Sequence, residues 1–274
     1  MSLAPQDFLP AIGPWVTGLD EVWPGAAVKP YFAHWEVVHL LSLALLGGAS
    51  ILLNLRLIGV GFPEQSPAQM RRDVSPWLHL GVFGIIFTGL LIGASNPDRL
   101  YTSEAFTAKM LGLAAALILT YGVSLPLAGG RATPGVRLMA LLGMIVWAAS
   151  IYVFALAKLA NPGLWHVLMA AALIVMFVTR GFTRIVYLAG LLALIVIQFA
   201  TTHFIIKPDD YAALDPANKT FFLVFLAWIL GAATVQVVSA GRSENGGPFA
   251  KAMAYAALLV WVTTAAAGRW IAFA

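Results

Sequence analysis

The chain has 274 residues, of which 61% are hydrophobic and only 10% are charged, and its mean hydropathy is +0.87. Soluble proteins carry about 25% charged residues, so this composition excludes an ordinary soluble protein and indicates an integral membrane protein whose first partner is the lipid bilayer. The absence of cysteine excludes disulfides, thiolate-bound metal clusters and covalently attached haem. The formal charge of +4 does not indicate a nucleic-acid partner, because the basic residues are distributed over separate loops.

The first predicted element is the N-terminal stretch, residues 1–31. It contains prolines and acidic residues, but no basic start and no long apolar core. It is therefore neither a membrane span nor a typical secretory signal peptide. We predict a short amphipathic segment that lies on the membrane surface, with Trp15 and Trp23 at the interface.

Apolar runs follow, each close to the ~20 residues that a helix needs to cross a bilayer. Helices are expected because a single segment in lipid must satisfy its own backbone hydrogen bonds. The eight predicted spans are roughly residues 32–59, 76–95, 104–126, 135–158, 163–180, 184–205, 219–240 and 250–272. The predicted fold class is therefore an all-α integral membrane protein.

Basic residues concentrate in one set of the loops between these runs. The positive-inside rule places that set in the cytoplasm, and an even number of spans then puts both termini on the outer side. The basic residues of the set are Arg56, Arg71, Arg72, Arg131, Arg137, Arg180, Arg184, Arg242 and Lys251.

The two halves of the chain resemble each other. TPGVRLMALLGMIVW (133–147) and GPFAKAMAYAALLVW (247–261) share a proline, a basic residue, Met-Ala and a tryptophan at identical spacing. Four helices in each half, residues 32–158 and 163–274, give both copies the same orientation. We therefore predict a 4+4 parallel repeat about an axis along the membrane normal.

Histidines near the outer ends of the spans are candidates for a cofactor site. A b-type haem takes two axial nitrogens, which two neutral imidazoles at similar depth on different helices supply. The pair related by the repeat is His39 with His166, and His203 is the alternative second ligand if the fifth helix begins too late. His34 lies five positions before His39, about 140° away around the helix, so these two do not form a compact metal site. Interfacial or hydrogen-bonded helix contacts remain the alternative role for each histidine.

Other ionisable residues could complete the site. Glu36 precedes His39 by one turn on the same helix face and could fix the tautomer of a ligating imidazole. Lys109 and Lys219 lie near the outer face and could pair with haem propionates, although snorkelling to the headgroups explains lysines at helix ends equally well. The small residues Gly47, Gly48, Ala49 and Gly84 would let a helix or a flat ring approach closely, although ordinary helix packing explains them equally well.

Two segments carry a resemblance to known families. HLLSLALLGGASILLNLRLIG (39–59) resembles the first helix of a bacterial group that includes the copper-resistance D-type proteins and the haem-dependent membrane protoporphyrinogen oxidases. AFTAKMLGLAAALILTYG (105–122) is similar to a later helix of that group, and the terminal GRWIAFA resembles a related family of four-helix membrane proteins. The resemblance covers mainly the first four spans. It implies that His39 is a haem ligand, that Lys109 is functional and that Arg56 lies at the inner end of the first helix.

Together these features predict a b-type haem protein of the bacterial cytoplasmic (inner) membrane. It would transfer electrons between the quinone pool and an extracytoplasmic redox partner, as a subunit of a larger complex, with quinone as a second cofactor. Two alternatives stay open: a structural membrane anchor without a cofactor, and a transporter of copper or a small solute along the repeat interface. Motifs of nucleotide hydrolysis and of the common hydrolases are absent from the sequence.

Overall fold

The computed structural model describes residues 3–62, 64–157, 160–206, 210–239 and 247–273. Within these ranges the chain forms helices and short helical turns, with no β-strand. The long helices are α1 Phe32–Ile58, α2 Pro67–Ser95, α3 Glu104–Leu119, α4 Pro134–Leu156, α5 Ala160–Val178, α6 Gly181–Ala200, α7 Tyr211–Val238 and α8 Gly247–Trp270. The predicted all-α class is confirmed.

Most of these helices can cross a membrane. In the described part of the chain, seven helical stretches are long and apolar enough to do so, and they contain α1 to α4 and α6 to α8. The apolar part of α5, Pro162–Val178, is shorter than these seven stretches and has fewer than 18 residues. The chain is therefore a multi-pass membrane protein, whereas length alone does not decide whether α5 is an eighth span.

Two helices begin well before their apolar runs. α2 starts at Pro67 rather than near residue 76, because Ser66 and Gln69 form a capping box that satisfies backbone groups at the helix start. α7 starts at Tyr211 rather than near residue 219, and the Asp210 side chain accepts from the backbone N–H of Ala213. Hydropathy marks the part of a helix that lies in lipid, so it misses polar first turns.

The helices belong to two compact units. Unit 1 comprises residues 1–164 and 243–274, and unit 2 comprises residues 165–242. The predicted second half, residues 163–274, is therefore divided between them, because α8 packs against α3 and α1. The face of α8 that does so is rich in small buried residues, which let helices approach closely.

Unit 1 is built around α3. Small residues cover this helix, and all of the following are buried: Ala105, Ala108, Gly112, Ala115 and Ala116. A Cβ atom on Gly112 would lie 2.6 Å from Thr264 Oγ1 of α8 and 3.1 Å from Ser150 Oγ of α4. A side chain at position 112 would therefore push α4 or α8 away from α3.

The tryptophans matched by the proposed repeat make similar hydrogen bonds. Trp147 Nε1 donates to Thr263 Oγ1 and Trp261 Nε1 donates to Thr120 Oγ1, each at 3.1 Å. Thr120 opens a π-helical turn, Thr120–Ser124, that continues α3 toward Leu125–Ala128. Each of these indole N–H groups joins two helices. Each needs a hydrogen-bond partner, because an unpaired N–H is costly to bury.

The helices of unit 1 alternate in direction between two ends, which we call the His39 end and the Arg56 end after residues of α1. Arg99, in the helical turn after α2, donates to the carbonyl oxygens of Ile271 and Ala272, so α8 finishes at the His39 end. The rings of Phe154 and Trp270 meet edge to face at 6.4 Å between centroids. α4 and α8 therefore run parallel to each other, toward the His39 end.

The N-terminal segment covers the His39 end of unit 1 as a series of short helical turns. Tyr101 Oη donates to the carbonyl of Leu9 at 2.6 Å, and the backbone N–H of Leu3 donates to Glu104 at 3.3 Å. Trp15 and Trp23 are exposed, as an interfacial position requires. The sequence predicts a segment that lies on the membrane surface. The hydropathy pattern does not indicate that this segment also contacts the helices of unit 1.

Unit 2 is held together by aromatic side chains. Tyr187 Oη of α6 donates to the carbonyl of Ala172 in α5 at 2.9 Å, and Trp228 Nε1 of α7 donates to the carbonyl of Tyr187 at 3.2 Å. The rings of Trp165 and Phe222 meet edge to face at 5.4 Å between centroids and join α5 to α7.

Candidate functional site

Glycines of α2 bring this helix close to α1. A Cβ atom on Gly81 would lie 2.7 Å from the backbone nitrogen of Leu46, and one on Gly84 would overlap Ser42 Oγ. Of the small residues predicted to allow a close approach, Gly84 does so, whereas a Cβ atom on Gly47 or Gly48 would meet nothing within 4 Å. The close contact therefore uses glycines of the facing helix, one and two turns from Thr88.

The close approach places His39 against Thr88. His39 Nδ1 lies 2.7 Å from Thr88 Oγ1, while Thr88 Oγ1 donates its own hydrogen to the carbonyl of Gly84 at 2.6 Å. A hydroxyl has one hydrogen, so Thr88 can only accept from the imidazole. The proton of a neutral His39 is thus on Nδ1, and the lone pair is on Nε2, the arrangement that a metal-ligating histidine needs.

Glu36 does not have the role that its spacing predicted. The hydroxyl of Thr88, and not the Glu36 carboxylate, binds His39 Nδ1. Glu36 is exposed and lies at the wall of the same cavity as His39. The helical spacing predicted that Glu36 lies near His39. It could not predict the partner of His39 Nδ1, because Thr88 belongs to a different helix.

A cavity of ≈ 290 Å³ lies beside His39, between α1, α2, α3 and α8. Its walls are mainly apolar, and Leu40, Leu43, Ile85, Ile92 and Phe106 contribute to them. The polar and charged residues of the lining are Glu36, His39, Asn96, Arg99, Lys109, Thr264 and Arg269. An apolar cavity with a few convergent polar groups is the usual form of a small-molecule site.

Three cations line this cavity. The Lys109 side chain crosses Gly268 of α8, where a Cβ atom would lie 3.4 Å from both Cδ and Cε of the lysine. Lys109 is half-buried, and within the described ranges its ammonium has no ion-pair or hydrogen-bond partner. Arg99 and Arg269 line the cavity nearby. The site is therefore suited to a ligand that carries negative charge at one end and an apolar body.

Sequence reasoning did not identify Thr88 or Arg99 as site residues. Thr88 had no motif around it, and only its position opposite His39 gives it a role. Arg99 did carry a signal, because it is a basic residue in a loop that the positive-inside rule places outside.

Arg56 is far from the cavity. It lies 17 positions after His39, about 25 Å along α1. Its Nε donates to the carbonyl of Gln65, which fixes the loop between α1 and α2. Arg56 therefore has a structural role at the opposite end of the helix.

The remaining predicted site residues belong to unit 2. His166 is exposed on α5. His203 is exposed and stacks on Phe199, with 4.1 Å between ring centroids, and its Nδ1 lies 3.1 Å from the Phe199 carbonyl. Lys219 pairs with Asp215 of its own helix at 2.6 Å. Their role at a haem stays a prediction.

The donor set at the cavity fits a haem. His39 lines the cavity, three cations of the lining can face carboxylates, and the walls are mainly apolar, as at a haem site. No group of three or more His, Asp or Glu side chains suited to a metal ion occurs among the described residues. A haem brings four equatorial nitrogens of its own, so single histidines from the protein are sufficient partners for its iron.

Comparison with known proteins gives one match. The model of a family of unknown function, DUF6644, matches residues 25–166, slightly more than half of the chain. The matched region contains His39, Arg99 and Lys109, and it ends before α8. No curated protein and no solved structure matches the chain.

Proposed function

We propose that this chain, which belongs to the DUF6644 family, is a b-type haem membrane protein that transfers electrons between the quinone pool and an extracytoplasmic redox partner. It would act as a subunit of a larger complex. The observation that carries the proposal is the contact of His39 Nδ1 with Thr88 Oγ1, which leaves Nε2 for a metal, at a histidine that lines an apolar cavity with three cations. A haem bound there would supply reversible one-electron chemistry.

Different residues of the cavity would hold different parts of a haem. His39 provides an axial nitrogen, and Thr88 keeps the imidazole in one tautomer and one orientation. Arg99, Lys109 and Arg269 provide positive charge for carboxylates at the His39 end. The apolar wall excludes water, which is one of the factors that set a redox potential.

The second axial ligand is proposed to be another histidine of the chain. His39 is the one histidine that lines the cavity in the described chain, so a six-coordinate iron needs a further nitrogen. His166 and His203 are the candidates that the sequence offers near the same membrane face. Single substitution of each separates them, because loss of the true ligand changes the spin state while loss of the other does not.

A quinone is the second candidate ligand for the same cavity. The volume of ≈ 290 Å³ is at the lower end of the range of about 300–1,000 Å³ that is usual for ligand pockets, so a single ring fits more easily than a porphyrin. Lys109 and an arginine could donate to the quinone oxygens. A quinone without haem would leave the protein without a Soret band.

A visible spectrum tests the proposal directly. The full chain, purified in mild detergent from cells supplied with a haem precursor, is expected to show a Soret band whose position shifts on reduction. Extraction and haem assay should give about one haem per chain or a simple multiple. A colourless protein that remains colourless after incubation with haemin would overturn the haem proposal.

Thr88 offers a test of the tautomer argument. Thr88→Val keeps the shape of the side chain but removes the oxygen that accepts from His39 Nδ1. Outer partners of ligating histidines typically contribute 10–100-fold in affinity, so we expect haemin affinity to fall by about that factor. Thr88→Ser should restore most of it. Equal affinity in all three proteins would contradict the role assigned to Thr88.

We also propose eight membrane crossings in a 4+4 parallel repeat, with the His39 end outside. Support comes from the parallel directions of α4 and α8, since the chain must return from the His39 end to the Arg56 end between them. That return needs an odd number of crossings, so if α6 and α7 both cross, α5 crosses too. Its 19 residues extend about 28 Å, close to the ~30 Å hydrocarbon thickness.

Cysteine labelling tests this topology, because the natural chain contains no cysteine. Thr102→Cys and Ala212→Cys are expected to react with a membrane-impermeant maleimide in intact spheroplasts. Arg131→Cys and Arg180→Cys should react only after permeabilisation. Reaction of Arg180→Cys in intact spheroplasts would show that α5 does not cross the membrane.

A further inference from the structure

A groove lies at the Arg56 end of unit 1, far from the His39 cavity. It has a volume of ≈ 860 Å³, and the first turns of α2 form most of its wall. Its lining includes Arg71, Arg72, Ser75, His79 and Gly129. Nothing in the proposed haem chemistry uses these residues.

The groove carries positive charge that the protein does not neutralise. Among the residues that the structure describes, the guanidinium groups of Arg71 and Arg72 have neither an ion-pair nor a hydrogen-bond partner. Asp73 is adjacent in sequence but forms no ion pair with either arginine. Two neighbouring guanidiniums without a carboxylate leave several donors free for an anion from outside the chain.

The guanidinium of Arg71 lies in a space beside Gly129. A Cβ atom on Gly129 would overlap Arg71 Nη1, so the guanidinium occupies space that is open only because residue 129 has no side chain. Gly129 has an ordinary φ of −84°, so the backbone conformation does not require glycine. Arg71 is half-buried, and its guanidinium therefore lies against the backbone at Gly129.

The polarity of the groove changes along α2 as the polarity of a phospholipid does. His79 lies about 12 Å deeper than Arg71 and stacks on Tyr121, with 5.4 Å between ring centroids. Its Nδ1 is 2.9 Å from Tyr121 Oη. Beyond His79, α2 exposes a row of apolar side chains, Leu80, Phe83, Phe87 and Leu90. Along α2 the two arginines therefore come first, the His79–Tyr121 pair next and the apolar side chains last.

We propose that this groove binds an anionic phospholipid, with its phosphodiester between Arg71 and Arg72 and an acyl chain along the exposed face of α2. Arginine pairs suit phosphate because their donors match its oxygens bidentately. A zwitterionic lipid would bring its own cation close to the two guanidiniums and is therefore disfavoured. Basic pockets at the cytoplasmic ends of membrane helices commonly select anionic headgroups in this way.

Native mass spectrometry of the delipidated full chain tests the proposal, with phosphatidylglycerol, phosphatidylcholine and glycerol 3-phosphate as probes. Phosphatidylglycerol is expected to occupy the protein at a concentration at least about tenfold lower than phosphatidylcholine, because the choline cation is repelled by the two guanidiniums; tenfold corresponds to about 1.4 kcal/mol. Glycerol 3-phosphate should not compete, because it lacks the acyl chain. The double variant Arg71→Ala/Arg72→Ala should bind both lipids equally weakly.

Two further variants separate a built site from general surface charge. Arg131→Ala removes an exposed cation from the same end of the protein but outside the groove, and it should leave lipid selectivity unchanged. Gly129→Ala keeps every charge but displaces the Arg71 guanidinium, so it should lower the preference for phosphatidylglycerol severalfold even if the double variant does not fold. Equal loss in Arg131→Ala, unchanged selectivity in Gly129→Ala or the double variant, or competition by glycerol 3-phosphate would each overturn the proposal.

Discussion

His39→Ala is expected to abolish haem binding, with loss of more than about nine-tenths of the Soret absorbance per chain. Both candidate ligand pairs use His39, and the iron would lose the one histidine that lines the cavity in the described chain. The measurement is the visible spectrum of the purified variant before and after addition of haemin. Circular dichroism of the same sample checks that the helices are intact.

His34→Ala is the matched control for this variant. His34 lies on the same helix and is exposed, and it is not part of the cavity lining. Its ring contacts Tyr31 at 6.1 Å between centroids, away from Thr88. The control should retain the haem spectrum. A six-coordinate spectrum retained by His39→Ala, or an equal loss in both variants, would show that His39 is not the ligand.

The same pair of variants distinguishes the haem proposal from a purely structural role. An anchor without a cofactor would use the apolar surface of the bundle and would assemble normally with alanine at position 39. Electron transfer through a haem would instead be lost, although assembly continues. Assembly and quinol-dependent electron transfer should therefore be measured together on membranes that contain each variant.

Gly81→Ala is expected to destabilise the protein by about 1–3 kcal/mol, the usual cost of an overpacked core. The added methyl group would lie 2.7 Å from the backbone nitrogen of Leu46 and 2.8 Å from its Cα, so side-chain rotation cannot relieve the overlap. α1 and α2 must separate, which also lengthens the hydrogen bond between His39 and Thr88. Thermal unfolding in detergent and haemin affinity should therefore both decrease.

Gly48→Ala provides the matched control on the facing helix. A Cβ atom there meets nothing within 4 Å, and alanine is favoured over glycine in a helix by about 0.5–1 kcal/mol. This variant should be as stable as the natural protein or slightly more stable. If Gly81→Ala unfolded at the same temperature as Gly48→Ala, the close contact between α1 and α2 would be incorrect.

Local properties of the sequence were sufficient to predict the helical membrane class of the protein, and they singled out His39 as a candidate ligand. Long apolar runs predict membrane helices because each run must satisfy its own backbone in lipid. His39 stood out because an ionisable group inside such a run is costly unless it has a partner. The starts of α2 and α7 were missed, since caps at Ser66 and Asp210 extend helices beyond the lipid.

Only the tertiary structure decided which residues surround His39. Thr88 replaced Glu36 as the partner of Nδ1 because Gly81 and Gly84 bring α2 against α1, and helix spacing within α1 cannot report that contact. α8 packs on α3 and α1, and this brings Arg269 to the cavity from the far end of the chain. Apolar helices in lipid have no hydrophobic preference for one neighbouring helix over another. Small residues and a few hydrogen bonds therefore determine which helices pack together, and these contacts are seen only in the packed structure.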